Sequence, residues 1–453
     1  MLVEKKLRGE ITAFLTIIFV LLAAFICSIV EIASLHEEKC IQRTNMDLAI
    51  YSVFGEYQKE LLEQYHVFGI DAGYETGNYS EQAITGRLRY YGAEKMEHNI
   101  TDLQFLSDNQ GAAFYEQVLY YMESKYGVGL VREFTGLTGS WEEQMIQGEA
   151  YYEEKNSAIE DLKLAEEVDK AEQSIEQIKD SGSSFFLERV LPKEFAVSAQ
   201  TIKLESMPSR RALNHGYGSF MQRDTSGPVQ KLMFGEYLLK NFSSALQPAE
   251  ESGLSYELEY IIGGKESDRE NLEVVTGRLT LLRFAADYIY LMTDEGRKAE
   301  AETVAFGICL LLLMPELSEI VKNILLLVWA YQEGIQDVRN LLAGRKVPLA
   351  KTSDTWKVPL SGILRKGDYA AVGGNRSTED GLSYGDYLRI LLFLCGKEEC
   401  TMRSLDMIET ELKVKRKLSF FRIDYCVAKM KIKSKATLRQ GLTYEFQTEF
   451  SYR

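Results

Sequence analysis

A chain of 453 residues is too long for one small domain, and its 45% hydrophobic and 26% charged residues argue against wholesale disorder. Its 52 basic and 67 acidic side chains give a net charge of −15, which argues against nucleic acid as a partner. Four histidines leave little material for a histidine-rich metal site.

The first thirty residues carry the strongest signal. Residues 1–10 are short and basic, with Lys5, Lys6 and Arg8, whereas residues 11–30 are apolar and contain no charged side chain. A helix of that length covers the hydrocarbon core of a bilayer, about 30 Å thick. Because the basic flank is N-terminal, we expect a cytoplasmic stub at 1–10, a transmembrane helix at 11–30 and an extracellular remainder.

Three other interpretations of the apolar segment 11–30 are alternatives to a permanent membrane anchor. A cleavable signal peptide needs a shorter apolar core and a small-x-small cleavage site, which residues 32–34 match poorly. A lipoprotein signal needs small residues before its cysteine, but Cys27 follows Phe25 and Ile26. A buried helix of a soluble domain is disfavoured by the terminal position and the basic flank. The sequence therefore predicts a single-pass protein of the cell membrane, with the lipid bilayer as one partner.

Residues 31–140 are predicted to contain a first external helix and a first α+β part. Apolar side chains recur with helical period through 31–66 without a proline, so we expect one rod of about 55 residues, including the membrane span. Residues 65–71 and 99–105 predict two strands, and 111–138 predict a helix.

A polar helical connector is predicted at 141–184. An apolar stripe at 4,3,4,3 spacing is typical of a coiled coil, but two heptads are too few for a stable dimer. A solvated helix or a flexible connector is therefore favoured, ending in a linker at 181–184. The stripe consists of Leu164, Val168, Ala171, Ile175 and Ile178.

Residues 185–453 are predicted to form the main helical domain, with a strand at 195–202 and helices over most of its length. The apolar runs 304–314 and 324–330 are too short for membrane spans and have acids between them, so we expect two core helices that meet at Pro315. The predicted helices are Glu236–Ser244, Ser255–Ile262, Asp268–Leu291, Ala299–Met314, Leu317–Leu342 and Tyr384–Cys395.

The C-terminal residues 419–453 alternate between apolar and polar side chains, which predicts a β-hairpin or meander. Its basic residues lie between the apolar ones. We interpret them as a solvated sheet face, with a surface for an acidic partner as the alternative. The predicted fold class is thus α+β and helix-rich.

Motifs of catalysis and cofactor binding are missing from the sequence. It contains no P-loop, no HExxH, no dinucleotide-binding glycine motif after a strand and no nucleophile elbow. We therefore predict no catalytic, cofactor-binding or metal-binding residues and no cofactor. Cys395 and Cys400 flank a turn-like spacer, which makes them a candidate disulfide in an exported domain.

Residues 8–54 resemble the N-terminal segment of the TadE/TadG-like proteins of tight-adherence pilus assembly. The resemblance is carried by Arg8-Gly9, the span 11–30, Glu31 and the polar helix QRTNMDLA at 42–49. It departs from the prepilin pattern at Phe14, where processing after Gly9 would place a glutamate. The resemblance implies pilin-like or secretion-apparatus membrane proteins as partners, with Glu31 and Asp47 as candidate assembly contacts.

The remaining chain resembles an uncharacterised family of Gram-positive membrane-anchored proteins found beside such pilus genes. The stretches that carry this resemblance are YHVFGID at 65–71, FGEYLLKNF at 234–242, YIIGGK at 260–265 and GLSYGDYLRILLFL at 381–394. It implies no catalytic residues.

Together these features predict a non-enzymatic, single-pass component of a Tad-like pilus or secretion apparatus, whose outer domain is a scaffold or surface-interaction module. The alternative is a membrane-tethered extracellular hydrolase or ligand-binding receptor, with its site in the loop 207–228 or 362–384. In the first of these loops, Arg210, Arg211 and Arg223 are candidate anion ligands.

Overall fold

One helix, α1 (Leu2–Phe54), begins the chain and continues without interruption for 53 residues. The predicted rod is confirmed, but its predicted end is wrong. The chain turns at Gly55, whose amide donates to the Tyr51 carbonyl at 2.9 Å, and a separate helix starts at Lys59. The Gln58 amide donates to the Gly69 carbonyl, which folds this turn back onto the segment that follows the second helix.

The computed structural model describes residues 2–74, 76–132, 134–164, 187–250, 252–311, 313–363 and 381–452. Helices dominate this part of the chain. After α1 they are α2 (Lys59–Tyr65), α3 (Glu81–Leu88), α4 (Asp108–Tyr126), α5 (Thr138–Leu164), α6 (Leu187–Val190), α7 (Pro228–Asn241), α8 (Glu257–Gly263), α9 (Asp268–Thr293), α10 (Glu295–Leu311), α11 (Ser318–Leu342), α12 (Leu360–Ile363), α13 (Tyr384–Leu394) and α14 (Lys397–Val414).

Four antiparallel strands form a sheet in which the C-terminal strand β3 (Cys426–Thr437) is central. Strand β2 (Met96–Phe105) lies along one side of β3, with Ile100 opposite Ile432. Strands β1 (Ile70–Asp71) and β4 (Thr443–Ser451) share the other side. The predicted C-terminal hairpin and the strand at 99–105 are confirmed, whereas the strand at 65–71 is reduced to two residues.

The lysines of β3 meet carboxylates on neighbouring elements. Lys433 forms an ion pair of 2.7 Å with Glu445 on β4, and Lys429 forms one of 2.6 Å with Glu116 on α4. These pairs neutralise part of the C-terminal positive charge within the molecule. Exposed Lys433 agrees with the interpretation of a solvated sheet face, whereas Lys429 is buried against α4.

Two hydrophobic cores stabilise the fold. One packs the end of α1 against the sheet, and the other packs the helices of the main domain. The predicted helical block is confirmed to within a few residues, apart from an earlier start of α7, and α10 and α11 meet at Pro315 as expected. The strand expected at 195–202 is wrong, because this segment contributes only an isolated bridge from Thr201 to Ser267.

Helix α5 occupies the first part of the predicted connector, but it is packed rather than solvated. A Cβ at Gly148 would clash with the Leu281 carbonyl oxygen, so the glycine permits close contact with α9. Trp141, Lys155 and Ile159 are buried on the same helix. The stripe residues Val168 to Ile178 and the linker at 181–184 lie outside the described residues.

Candidate assembly surface on the N-terminal helix

The first half of α1 is not covered by other parts of the described chain. Within the part that the structure describes, one helix is long and apolar enough to cross a membrane, and none of its apolar window is buried. Large apolar side chains from Ile11 to Ile32 are exposed around the whole circumference. A helix that is apolar on all sides and unburied fits a single-pass membrane anchor.

The second half of α1 packs one face onto the sheet. Its buried side chains recur at helical spacing, as expected for an amphipathic helix on a core. The Phe54 ring lies tilted against Phe450 of β4, with ring centroids 4.1 Å apart, and meets the Tyr452 ring edge to face at 5.1 Å. The buried members of this face are Gln42, Met46, Ala49, Ile50, Val53 and Phe54.

The opposite face of the same segment remains exposed and is partly apolar. Ile41, Thr44, Leu48 and Tyr51 follow one another at spacings of 3, 4 and 3 residues, which places them in one row along the helix. Ile41 is 49% exposed, Leu48 60% and Tyr51 66%. We call this row the outward face. Its spacing is that of a coiled-coil seam, which a partner helix can cover.

The two predicted assembly contacts lie on different sides of α1. Glu31 is exposed at the C-terminal end of the apolar segment, and Asp47 is half-buried beside the outward face. The two residues are 16 positions apart. In an α-helix they are therefore about 24 Å apart along the axis, and their side chains point in directions that differ by about 160° around it. One partner helix therefore cannot contact both, and only Asp47 adjoins the outward face. The assembly role of both acids remains a prediction.

Strand β4 and the turn before it contact α1 at two positions along the helix. Near the membrane end, the Lys39 ammonium lies 5.4 Å from the Tyr444 ring centroid, and the Arg439 amide donates to Glu38. Farther along, the Tyr51 ring meets Phe450 edge to face at 5.2 Å. Helix and strand thus pack together, so the outward face belongs to a helix that is fixed to the sheet.

Two of the three arginines in the loop 207–228 are already paired with carboxylates of the chain. Arg211 pairs with Glu409 and Asp424, both at 2.5 Å, and Arg223 pairs with Glu123 at 2.6 Å. These two guanidinium groups are neutralised inside the molecule, and Arg210 alone of the three is exposed without an ion pair among the described residues. Most of the second candidate loop, 362–384, lies outside the described residues.

Several carboxylic acids are buried in the main domain, among them Glu257, Glu259 and Asp406. Desolvation by burial raises the pKa of Glu257 and of Glu259 to about 7 and that of Asp406 to about 6. Each acid accepts hydrogen bonds, but these offset only part of the desolvation that raises its pKa. Glu259, for example, accepts from the Tyr384 hydroxyl at 2.7 Å and from the Ala245 amide at 3.0 Å.

These raised pKa values predict a pH-dependent stability. Unfolding returns the acids to pKa values near 4, so the folded protein binds more protons between about pH 4 and 7. The stability they contribute is full below the unfolded pKa and is lost as pH rises through about 7. The free energy of unfolding should therefore fall from pH 5 to 8. The double substitution Glu257→Gln with Glu259→Gln should make the free energy of unfolding depend less on pH. Glu445→Gln, at an exposed position, is the control and should leave this pH dependence unchanged.

Cys395 and Cys400 lie side by side at the junction of α13 and α14. Both are buried free thiols in the structure, and their side chains are in hydrogen-bonding contact. The spacer between them is not a turn but the first turn of α14, with Gly396 as its N-cap. The disulfide remains a prediction.

Alkylation of protein from native membranes tests this pair. If the disulfide forms, Cys395 and Cys400 resist alkylation in denaturant until a reductant is added. Exposed Cys40 reacts at once and serves as the internal control. Reaction of all three cysteines without a reductant contradicts the prediction.

Comparison with known protein families gives a match to the main domain. Residues 165–438 match the family described as Family of unknown function (DUF5702). That range includes the main helical domain and β3, whereas α1 to α5 and β4 fall outside it. No curated protein and no solved structure matches the chain.

Proposed function

Because the chain belongs to the DUF5702 family, whose function is unknown, we propose its function from its own architecture. The protein is a non-enzymatic, single-pass membrane component of a Tad-like pilus or secretion apparatus. Helix α1 is both the anchor and the assembly element, and the outer domain is a scaffold or surface-interaction module. Its partners are the lipid bilayer and pilin-like or secretion-apparatus membrane proteins.

One observation carries this proposal. A single uninterrupted helix connects an unburied apolar segment to a sheet, and it leaves Ile41 and Leu48 of the outward face uncovered beyond the membrane segment. A tether alone needs only the apolar segment and a flexible link. A rigid helix with a second apolar row supports lateral packing against neighbouring helices, first within the bilayer and then outside it.

The orientation follows from the charge asymmetry around the span. Lys5, Lys6 and Arg8 precede it, and Glu31, Glu37 and Glu38 follow it. By the positive-inside rule the basic end is cytoplasmic and the outer domain is extracellular.

Exchange of the membrane segment separates anchoring from assembly. We expect that a chain with residues 11–30 replaced by an unrelated hydrophobic helix of equal length stays in the membrane fraction but no longer co-purifies with apparatus subunits. Because the replacement has equal length, the outward face keeps its height above the bilayer and its direction around the helix axis. Retained co-purification would refute a specific role for this segment, and recovery of the anchored protein alone from the wild type would favour a tethered receptor or hydrolase.

A further inference from the structure

A helical hairpin of the main domain exposes a second apolar surface. Helix α10 runs antiparallel to the first turns of α11, as the Arg297 guanidinium over the Trp329 ring shows at one end. Near the other end, five large apolar side chains are exposed, and we call them the hairpin patch. They are Phe306, Leu310, Leu311, Leu313 and Ile320. The prediction of two core helices is correct for α11, which is largely buried. It is only partly correct for α10, which buries one face and exposes the other.

The backbone at the hairpin turn has an unfavourable conformation for a leucine. Leu313 has a φ of +59° and is 81% exposed. This left-handed conformation favours glycine or asparagine, because a Cβ crowds the following carbonyl. The Met314 amide donates to the Cys309 carbonyl of α10 at 2.9 Å, and this bond closes the turn. The turn therefore holds an apolar side chain in solvent, where a small or polar residue would be less unfavourable.

The cations of the helical hairpin itself are paired within the part of the chain that the structure describes. Lys298 and Lys322 form ion pairs of 2.6 Å with Glu295 and Glu319 on their own helices. Arg297 pairs with Asp294 at 3.3 Å. The three cations between residues 294 and 328 are thereby neutralised.

The remaining acids of this stretch have no such partners. Glu300, Glu302 and Glu316 are exposed and have no ion pair among the described residues. An apolar centre with unpaired carboxylates around it is complementary to an apolar row flanked by lysine or arginine. A second copy of the hairpin would bring like charges together, and anionic lipid headgroups would be repelled in the same way.

We propose that the hairpin patch is a docking site for a partner protein that presents a cationic amphipathic helix. Apolar side chains of that helix cover Phe306, Leu310 and Leu313, and its basic residues meet Glu302 and Glu316. This surface is separate from α1, so the proposal does not depend on the assembly function proposed above.

Binding of a designed peptide to the full chain in nanodiscs tests the proposal. The probe is a labelled helical peptide with one row of leucines flanked by lysines, and its affinity is measured by fluorescence anisotropy. We expect saturable binding that weakens at least tenfold in Leu310→Asp with Leu313→Asp. In Glu302→Gln with Glu316→Gln, binding weakens and loses part of its salt dependence. Ile146→Asp, at an exposed isoleucine of α5, is the matched control and leaves binding unchanged.

Three results overturn the proposal. The first is equal binding of a peptide with glutamate in place of lysine, or of a peptide with the same residues in scrambled order. The second is self-association of the chain that Leu313→Asp abolishes, which assigns the patch to a second copy. The third is patch-dependent association of the outer domain with anionic vesicles, which assigns it to a lipid surface.

Discussion

Replacing Asp337 by asparagine should lower the free energy of unfolding by about 3–5 kcal/mol, because it leaves buried cations without their carboxylate. Asp337 belongs to α11 and contacts α9 and the segment after α11. It accepts from Arg283 at 3.0 Å and from Lys351 at 2.9 Å, and all three side chains are fully buried. Against the opposing effect of burial, these cations lower the pKa of Asp337.

The rest of this buried network cannot replace the lost charge. Asp287 pairs with Arg283 at 2.7 Å, and Glu333 pairs with Lys351. Three carboxyl groups thereby face the cations Arg283, Lys351 and half-buried Lys357, and burial raises the pKa of Asp287 to about 8. In the Asp337→Asn protein, two acids face three cations in a medium that stabilises charge poorly.

Thermal or urea unfolding of the purified chain measures this loss. The expected drop in melting temperature is on the order of 10 °C. Glu319→Gln is the matched control, because it breaks the exposed i,i+3 pair with Lys322 and should cost less than about 1 kcal/mol. Equal effects of the two substitutions would contradict the assignment of Asp337 to a buried network.

Placing charge on the outward face should abolish assembly without unfolding the protein. Ile41 and Leu48 are exposed and are not part of the core between α1 and the sheet. In an assembled helix pair each would bury a side chain worth about 1.5–3 kcal/mol. Ile41→Lys with Leu48→Lys removes both contributions and adds two desolvation costs. The yield of cross-linked complex should therefore fall at least tenfold.

The control for this double variant is a lysine at another exposed aromatic or apolar position. Phe420 is exposed and lies in the segment between α14 and β3, outside α1. Phe420→Lys should leave the complex intact. If both variants retain the complex, the outward face has no part in assembly. If both lose it, the effect of charge is nonspecific.

Much of the helical fold follows from local pattern. Asp268–Thr293 is an example, because Ser267 and Glu270 form a capping box that marks its start, and apolar residues recur at helical spacing behind it. The sequence pattern does not predict helix α14, and the reason is again local. Gly396 followed by Lys397, Glu398 and Glu399 is typical of a turn, but the glutamates occupy the first turn of a helix, where they interact favourably with its dipole.

The pairing of distant segments could not be predicted from local pattern. His98 on β2 lies opposite Ser434 on β3, and the chain between them contains nearly all of the helices. The candidate assembly surface depends on this pairing. Apolar side chains surround most of α1 between Ile41 and Phe54, so periodicity alone does not reveal which row is buried. The sheet decides it, because β3 and β4 arrive from the other end of the chain and cover the row of Met46 and Val53.

Site-specific photo-crosslinking at Leu48 in native membranes tests the central claim most directly. A photoreactive residue replaces Leu48, a tag at the C-terminus allows recovery, and the same residue at Phe420 is the control. The assembly function predicts that Leu48 crosslinks to a pilin-like or secretion-apparatus membrane protein and that Phe420 does not. Recovery of the anchored chain without a crosslinked protein partner at Leu48 would contradict it.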